Sequence, residues 1–223
     1  MSIRIEHTEV VGFEHAIRGM RNPLNSWDKS DSYYTYIEDE HTLQTAPFEF
    51  FVGENDLELM KRLAKAGTDH RKFMRMITVY VDVTAPLYWW AEYDTYKVGT
   101  VRNSCSKMHT IHKKEFTLDD FSHEHLIDED EYMLACKSSL NRTIADLNTA
   151  RDLYITTNDK RYWWQIIQLL PSSYNQKATL MLNYEVLANI YHSRKAHKLD
   201  CWRTFCEWIE TLPYAKELIC DVG

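Results

Sequence analysis

Residues 70–108 read HRKFMRMITVYVDVTAPLYWWAEYDTYKVGTVRNSCSKM. Within this stretch, residues 73–83 place Ile77, Val79, Val81 and Val83 on one face and Met76, Thr78, Tyr80 and Asp82 on the other. That two-residue period is the mark of a half-buried strand. Pro86 stops it, since proline has no N–H to give to a ladder. Leu87 to Tyr96 then carries enough aromatic surface for a buried helical turn that runs into the next loop.

Upstream, Leu57, Met60, Leu63 and Ala64 fall at helical spacing, with Asn55 placed to cap the helix and Gly67 to end it in the left-handed conformation. Residues 2–12 alternate loosely, with Ile3, Ile5, Val10 and Val11 apolar, and predict an edge strand leading into a short helix from Phe13 to Met20. Residues 21–53, with Asn22-Pro23, Asn25-Ser26 and Ala46-Pro47, show little periodicity and read as a long irregular stretch. Downstream, the pattern from Asp128 is helical. Met133, Leu134, Leu140, Ile144, Leu147 and Leu153 recur at intervals that suit one long helix. Breaks at Asn158-Asp159, Pro171-Ser172 and Leu212-Pro213 divide the rest into helices over 160–170, 175–196 and 199–211. The expected architecture is α+β: a small sheet from the first half of the chain packed against helices, several of them in the second half.

The 223 residues, 44% of them hydrophobic, suffice for one good core, so a single domain over 1–223 is expected. Acidic residues outnumber basic ones by 33 to 26, and the net charge of −7 offers no general attraction for nucleic acid or an anionic membrane. Any phosphate site must be local. No apolar run approaches the roughly 20 residues that span a bilayer, and the opening MSIRIEHTEVV lacks a basic segment followed by an apolar one. A cytoplasmic protein is expected. The five cysteines form no C-x-x-C pair and read as reduced thiols. His109-x-x-His112 beside Cys105, and His123-x-His125, have ligand-type side chains at loose spacing, and ordinary surface histidines are the simpler reading, so no metal is assigned.

The 70–108 stretch resembles, without a gap, the segment of flavin-dependent thymidylate synthases that runs from a histidine through a strand to the signature R-H-R-x-x-S-x-N-x-x-S-x-R-Y, which a glutamine precedes by three residues. Here that frame reads Glu92, then Thr95-Tyr96-Lys97, Thr100, Arg102, Cys105, Lys107 and Met108. A second block, LPSSY at 170–174, resembles the family's L-P segment. Beyond it, Asn183, Asn189 and Arg194 reproduce the family spacing N-x5-N-x4-R as identities. The two blocks cover about half the chain in the family order. The resemblance implies the flavin-dependent thymidylate synthase fold, with a small antiparallel sheet and long helices.

It also implies a site. Arg194 matches the catalytic arginine that meets the uracil ring of dUMP, and a guanidinium, charged at any accessible pH, stabilises a developing enolate-like anion more than the neutral base. Glu92, Ser104, Cys105, Ser106 and Lys107 occupy the substrate positions, where small hydroxyl side chains and a cation suit a phosphate. Cys105 stands in place of a serine and reads as a small inert residue, because a reactive thiolate needs a depressed pKa. Thr95, Tyr96, Lys97, Asn183 and Asn189 match cofactor positions for FAD. Glu92 replaces a glutamine, adding a negative charge that Lys97 or Arg102 would have to offset. Thr95-Tyr96-Lys97 keeps one cation of three, and Ile167 stands where the family has an arginine.

The function so implied is methylation of dUMP, or a close pyrimidine deoxynucleotide, at C5, with FAD as cofactor and methylenetetrahydrofolate and NADPH as co-substrates, in a homotetramer. The aromatic doublets Trp89-Trp90 and Trp163-Trp164 are candidate interface anchors. The depleted cations leave a second class open: a nucleotide-binding or scaffold homologue without flavin chemistry.

Overall fold

The computed structural model describes residues 3–35, 49–128, 130, 132 and 134–222. A four-stranded sheet has the order β1-β4-β6-β5, formed by β1 (Arg4–Val11), β4 (Thr78–Pro86), β5 (Val101–Ser104) and β6 (Asn175–Asn183). A two-stranded antiparallel ribbon pairs β2 (Tyr33–Thr35) with β3 (Glu49–Phe51). The helices are α1 (Phe13–Arg21), α2 (Glu54–Lys65), α3 (Leu87–Tyr93), α4 (Lys107–Thr110), α5 (Cys136–Thr157), α6 (Lys160–Leu169), α7 (Tyr184–Arg194) and α8 (Asp200–Glu210). The class is α+β, with a small antiparallel sheet. Among the described residues no helix is long and apolar enough to cross a membrane. The five cysteines are free.

Several expectations hold and several need correction. β1 is an edge strand running into α1, and Gly67 has the left-handed φ of 101°. The strand expected over 73–83 is displaced. Arg71–Met76 is 310-helical and β4 begins at Thr78, with Val79, Val81, Val83 and Ala85 all buried. Asn55 does not cap α2. Asp31 does, its carboxylate accepting from the N–H groups of Asn55 (2.9 Å) and Asp56 (3.1 Å). The long helix starts at Cys136 rather than near Asp128, leaving Leu134 outside it, and Met133 lies outside the described residues. So does the Ala46-Pro47 part of the irregular stretch.

The largest correction concerns residues 175–196, which are not one helix. Asn175–Asn183 is strand β6, with Gln176, Ala178, Leu180 and Leu182 buried on alternate positions, so the sheet draws a strand from the second half of the chain. Helix α7 begins immediately afterwards.

By contacts the chain divides into two units. One comprises Met1–Glu6, Asp82–Thr95 and Arg102–Thr179, the other His7–Val81, Tyr96–Val101 and Leu180–Gly223. In the first, α5 and α6 form a hairpin over Ile111, Phe116, Phe121, Leu140, Ile144, Leu147 and Ile166. Asn158, left-handed, ends α5, and Asp159 caps α6 by accepting from the Arg161 N–H at 2.9 Å. Trp89 and Trp90 are wholly buried in this unit, which corrects the expectation that this doublet anchors an interface, whereas Trp164 is half exposed. In the second unit, α7 packs on α8 and on the Arg71–Met76 turn, around Leu187, Ile190, Trp202 and Phe205. Asp56 is a fully buried carboxylate there, accepting from Arg21 Nε and from the hydroxyls of Ser30 and Ser32, each at 2.6 Å. Burial pushes its pKa upward, but the hydroxyls and the Arg21 guanidinium outweigh that and hold it below the usual carboxylate range.

Candidate functional site

The candidate residues fall into two groups, one in each unit. In the second unit, Asn183 ends β6 and caps α7. Its Oδ1 accepts from the Val186 N–H at 3.0 Å, while its Nδ2 donates to the Gly99 carbonyl at 3.2 Å. Gly99 has φ 70°, and a Cβ there would stand 2.7 Å from Asn183 Nδ2. Only glycine allows this approach without strain. A cavity of about 270 Å³ opens beside the contact, lined by Arg75, Thr78, Gly99, Asn183, Glu185 and Asn189 among others. Asn183, at the cap of α7, and Asn189, within it, thus meet one cavity together with the loop that follows Tyr96-Lys97. Lys97 is exposed and Tyr96 half-buried.

Arg194 lies in the last turn of α7. Its Nε donates to Tyr96 Oη at 2.9 Å, its Nη1 stands 3.0 Å from His197 Nε2, and its guanidinium carbon lies 4.7 Å from the centre of the Trp202 ring. Two aromatic faces and a phenol oxygen fix the fork, and contact with the rings adds electrostatic attraction to the packing. Tyr96, the middle residue of Thr95-Tyr96-Lys97, is therefore spent on orienting the candidate catalytic arginine.

In the first unit, Ser104 closes β5 and Ser106 caps α4, its hydroxyl accepting from the His109 N–H. Cys105 is held by its backbone, donating to the Lys177 carbonyl (3.0 Å) and accepting from Gln176 Nε2 (2.7 Å), with its thiol exposed. Arg102 donates to Asp94 Oδ1 at 2.7 Å and to Gln176 Oε1 at 3.4 Å, and lies 4.4 Å over the Trp90 ring. Lys107 is half-buried. Burial first, and the neighbouring Arg102 charge second, hold its pKa below the ordinary lysine value. Thr95 turns back on α3, donating through N and Oγ1 to the Glu92 carbonyl. Ile167 packs against the α5–α6 apolar cluster, so an arginine in its place would lose that contact.

Sequence reading missed Arg75 and Glu185. Arg75 donates through Nε and Nη2 to the Glu185 carboxylate, and Arg71 Nε lies 3.7 Å from the same group. The signal was obscured because Arg75 fell inside a stretch read as strand and Glu185 inside one read as unbroken helix. Gly99 and the pair His197 and Trp202 carried no motif at all.

The fold these elements define is that of the flavin-dependent thymidylate synthases. Two solved structures are similar over the whole of this chain at 16% identity with a TM-score of 0.66: thymidylate synthase X (ThyX) from Helicobacter pylori with FAD and dUMP, covered over 98%, and flavin-dependent thymidylate synthase ThyX from the same organism complexed with FAD and dUMP, covered over 99%. A UMP/dUMP methylase, PolB from Streptomyces cacaoi bound with 5-Br dUMP, is similar at 12% identity and a TM-score of 0.59, over 100% of this chain and 96% of that one. No protein-family model matches the sequence, and no curated protein does.

Proposed function

We propose that this chain binds FAD and a pyrimidine deoxynucleotide of the dUMP type and methylates the base at C5, with methylenetetrahydrofolate as one-carbon donor and NADPH as reductant. The observation that carries this reading is the convergence of Asn183, Asn189 and the Val98–Gly99 loop on one cavity, on the helix that ends in Arg194. These residues come from separate stretches of sequence, and both stretches resemble the same family.

The donor set fits a flavin dinucleotide. Among the described residues, Asn189, the Thr78 hydroxyl and Lys97 make no side-chain hydrogen bond or ion pair, and all three lie at or next to the cavity. In this reading Asn189, Lys97 and the Gly99 backbone would hold FAD, whose NADPH-reduced form would supply the hydride that completes the methyl group. Arg194, oriented by Tyr96 and Trp202, stabilises negative charge on the pyrimidine as C5 becomes nucleophilic. In the other unit, Lys107 and the Ser106 hydroxyl are assigned the phosphate-binding role, and Cys105 lends its exposed edge to that loop. A homotetramer in the cytoplasm belongs to the same proposal.

One observation favours a second reading, a nucleotide-binding homologue without flavin. Thr95 is tied to its own helix and Tyr96 to Arg194, so Lys97 is the one side chain of the motif left to face a cofactor. An absorbance spectrum of the purified protein between 300 and 550 nm, taken before and after FAD is added and the excess removed, separates the two. Retained flavin bands support the enzyme. A colourless protein that still binds dUMP supports the second reading and overturns the first.

A further inference from the structure

The Arg71–Met76 turn carries two guanidiniums that converge on one carboxylate in the first turn of α7. Arg75 spends Nε and Nη2 on Glu185, and Arg71 Nε lies 3.7 Å from Glu185 Oε1. Two positive charges on one negative leave a formal excess of one positive charge, in a chain whose net charge is −7. Glu185 is buried, its side chain 10% exposed, whereas that of Arg75 is 54% exposed and lines the cavity with Thr78 and Asn189. Among the described residues Arg75 Nη1 donates to nothing. Glu185 therefore grips one edge of the fork and holds the other edge at the cavity.

We propose that Arg75, positioned by Glu185 and backed by the Arg71 charge, is the anion-binding corner of this cavity and takes the diphosphate of a nucleotide. A fixed guanidinium edge suits phosphate oxygens, whose hydrogen bonds with it are charge-assisted. The Thr78 hydroxyl and the Asn189 amide supply further donors, and the cavity opens at the N-terminus of α7, where the helix dipole favours negative charge. This corner replaces, from a different segment of chain, cations absent from Thr95-Tyr96-Lys97. At about 270 Å³ the cavity holds part of a dinucleotide, not all of it. Naming that dinucleotide FAD rests on the flavin reading; the anion site does not.

Calorimetric titration of the wild type, Arg75→Gln and Glu185→Gln with inorganic pyrophosphate, ADP and FAD tests this. Pyrophosphate and ADP are expected to bind the wild type and to lose at least tenfold in affinity in Arg75→Gln, the scale of one charged hydrogen bond. Glu185→Gln, which raises the local charge, is expected to bind pyrophosphate more tightly than Arg75→Gln does. Arg75-dependent binding of pyrophosphate and ADP without FAD binding would uphold the anion corner and remove the flavin reading. FAD binding that is indifferent to Arg75→Gln would do the reverse, and a wild type that binds none of the three overturns both. Should Arg75→Gln fail to fold, phenylglyoxal labelling of wild-type Arg75, read by mass spectrometry, decides: saturating pyrophosphate is expected to slow it, and an unchanged rate overturns the proposal.

Discussion

Arg194 and Tyr96, 98 residues apart, meet through a 2.9 Å hydrogen bond from the guanidinium Nε to the phenol oxygen. The bond joins the end of helix α7 to the loop after α3, linking the two stretches of sequence that carry the resemblance. Tyr96→Phe keeps the ring and removes the acceptor. A charged hydrogen bond contributes about 1.5–3 kcal/mol. Turnover of dUMP is expected to fall by about tenfold or more in kcat, with the thermal midpoint little changed. Equal kcat in the two proteins, measured by release of tritium from C5-labelled dUMP, would remove Tyr96 from the positioning role. Arg194→Ala is expected to abolish turnover in the same assay.

Asn183 serves two backbones at once. Asn183→Ala removes the cap of α7 and the tether to Gly99, and a lost cap costs about 1–2 kcal/mol. Gly99→Ala strains the same contact from the other side. Both variants are expected to lower the urea midpoint at an unchanged slope, and the double variant to lose less than the sum of the two, because each breaks the same tether. Full additivity would show that the tether carries no energy.

The pH dependence of stability should carry the signature of Asp56. Its folded-state pKa lies below the ordinary 3.8, so its contribution is complete above the unfolded-state value and disappears as the pH falls through the lower folded one. Asp56→Asn removes a carboxylate paired with buried Arg21 and is expected to cost about 3 kcal/mol at pH 7. It should also flatten the stability profile below pH 4. An acid limb as steep as that of the wild type, in urea melts from pH 2 to 7, would reassign that limb to other groups.

Lys107 provides a second pH test, at the alkaline end. Burial and Arg102 lower its pKa, so its charge is lost, and affinity for the nucleotide phosphate with it, at a lower pH than an exposed lysine would show. Titration of dUMP between pH 7 and 10 is expected to show affinity falling across that range in the wild type and holding in Lys107→Arg, whose charge persists. Parallel curves would exclude Lys107 from the phosphate site.

The fold class was legible because two kinds of pattern are strong in this chain. Val79, Val81 and Val83 mark β4 by alternation, and Leu140, Ile144 and Leu147 mark α5 by helical spacing. β6 escaped because Lys177, Ala178, Leu180, Met181 and Leu182 are all good helix formers, and its tertiary place in the sheet overrides that preference. The cap of α2 escaped because Asp31 reaches it from 24 residues away, where no local rule looks. At the candidate site, identities of residue type singled out Asn183, Asn189 and Arg194, of which the first two meet at one cavity. Arg75 and Glu185 depend on a contact across 110 residues, which no spacing rule encodes.

The junction of β6 and α7 has no loop: Asn183 is the last residue of the strand and the cap of the helix. Each residue of an α-helix turns the chain by about 100°. One residue inserted after Asn183 would therefore swing Asn189 and Arg194 together to another side of α7. A change of length here would move every cavity-lining residue of α7 at once, whereas the Val98–Gly99 side and Arg75 can vary without disturbing that register.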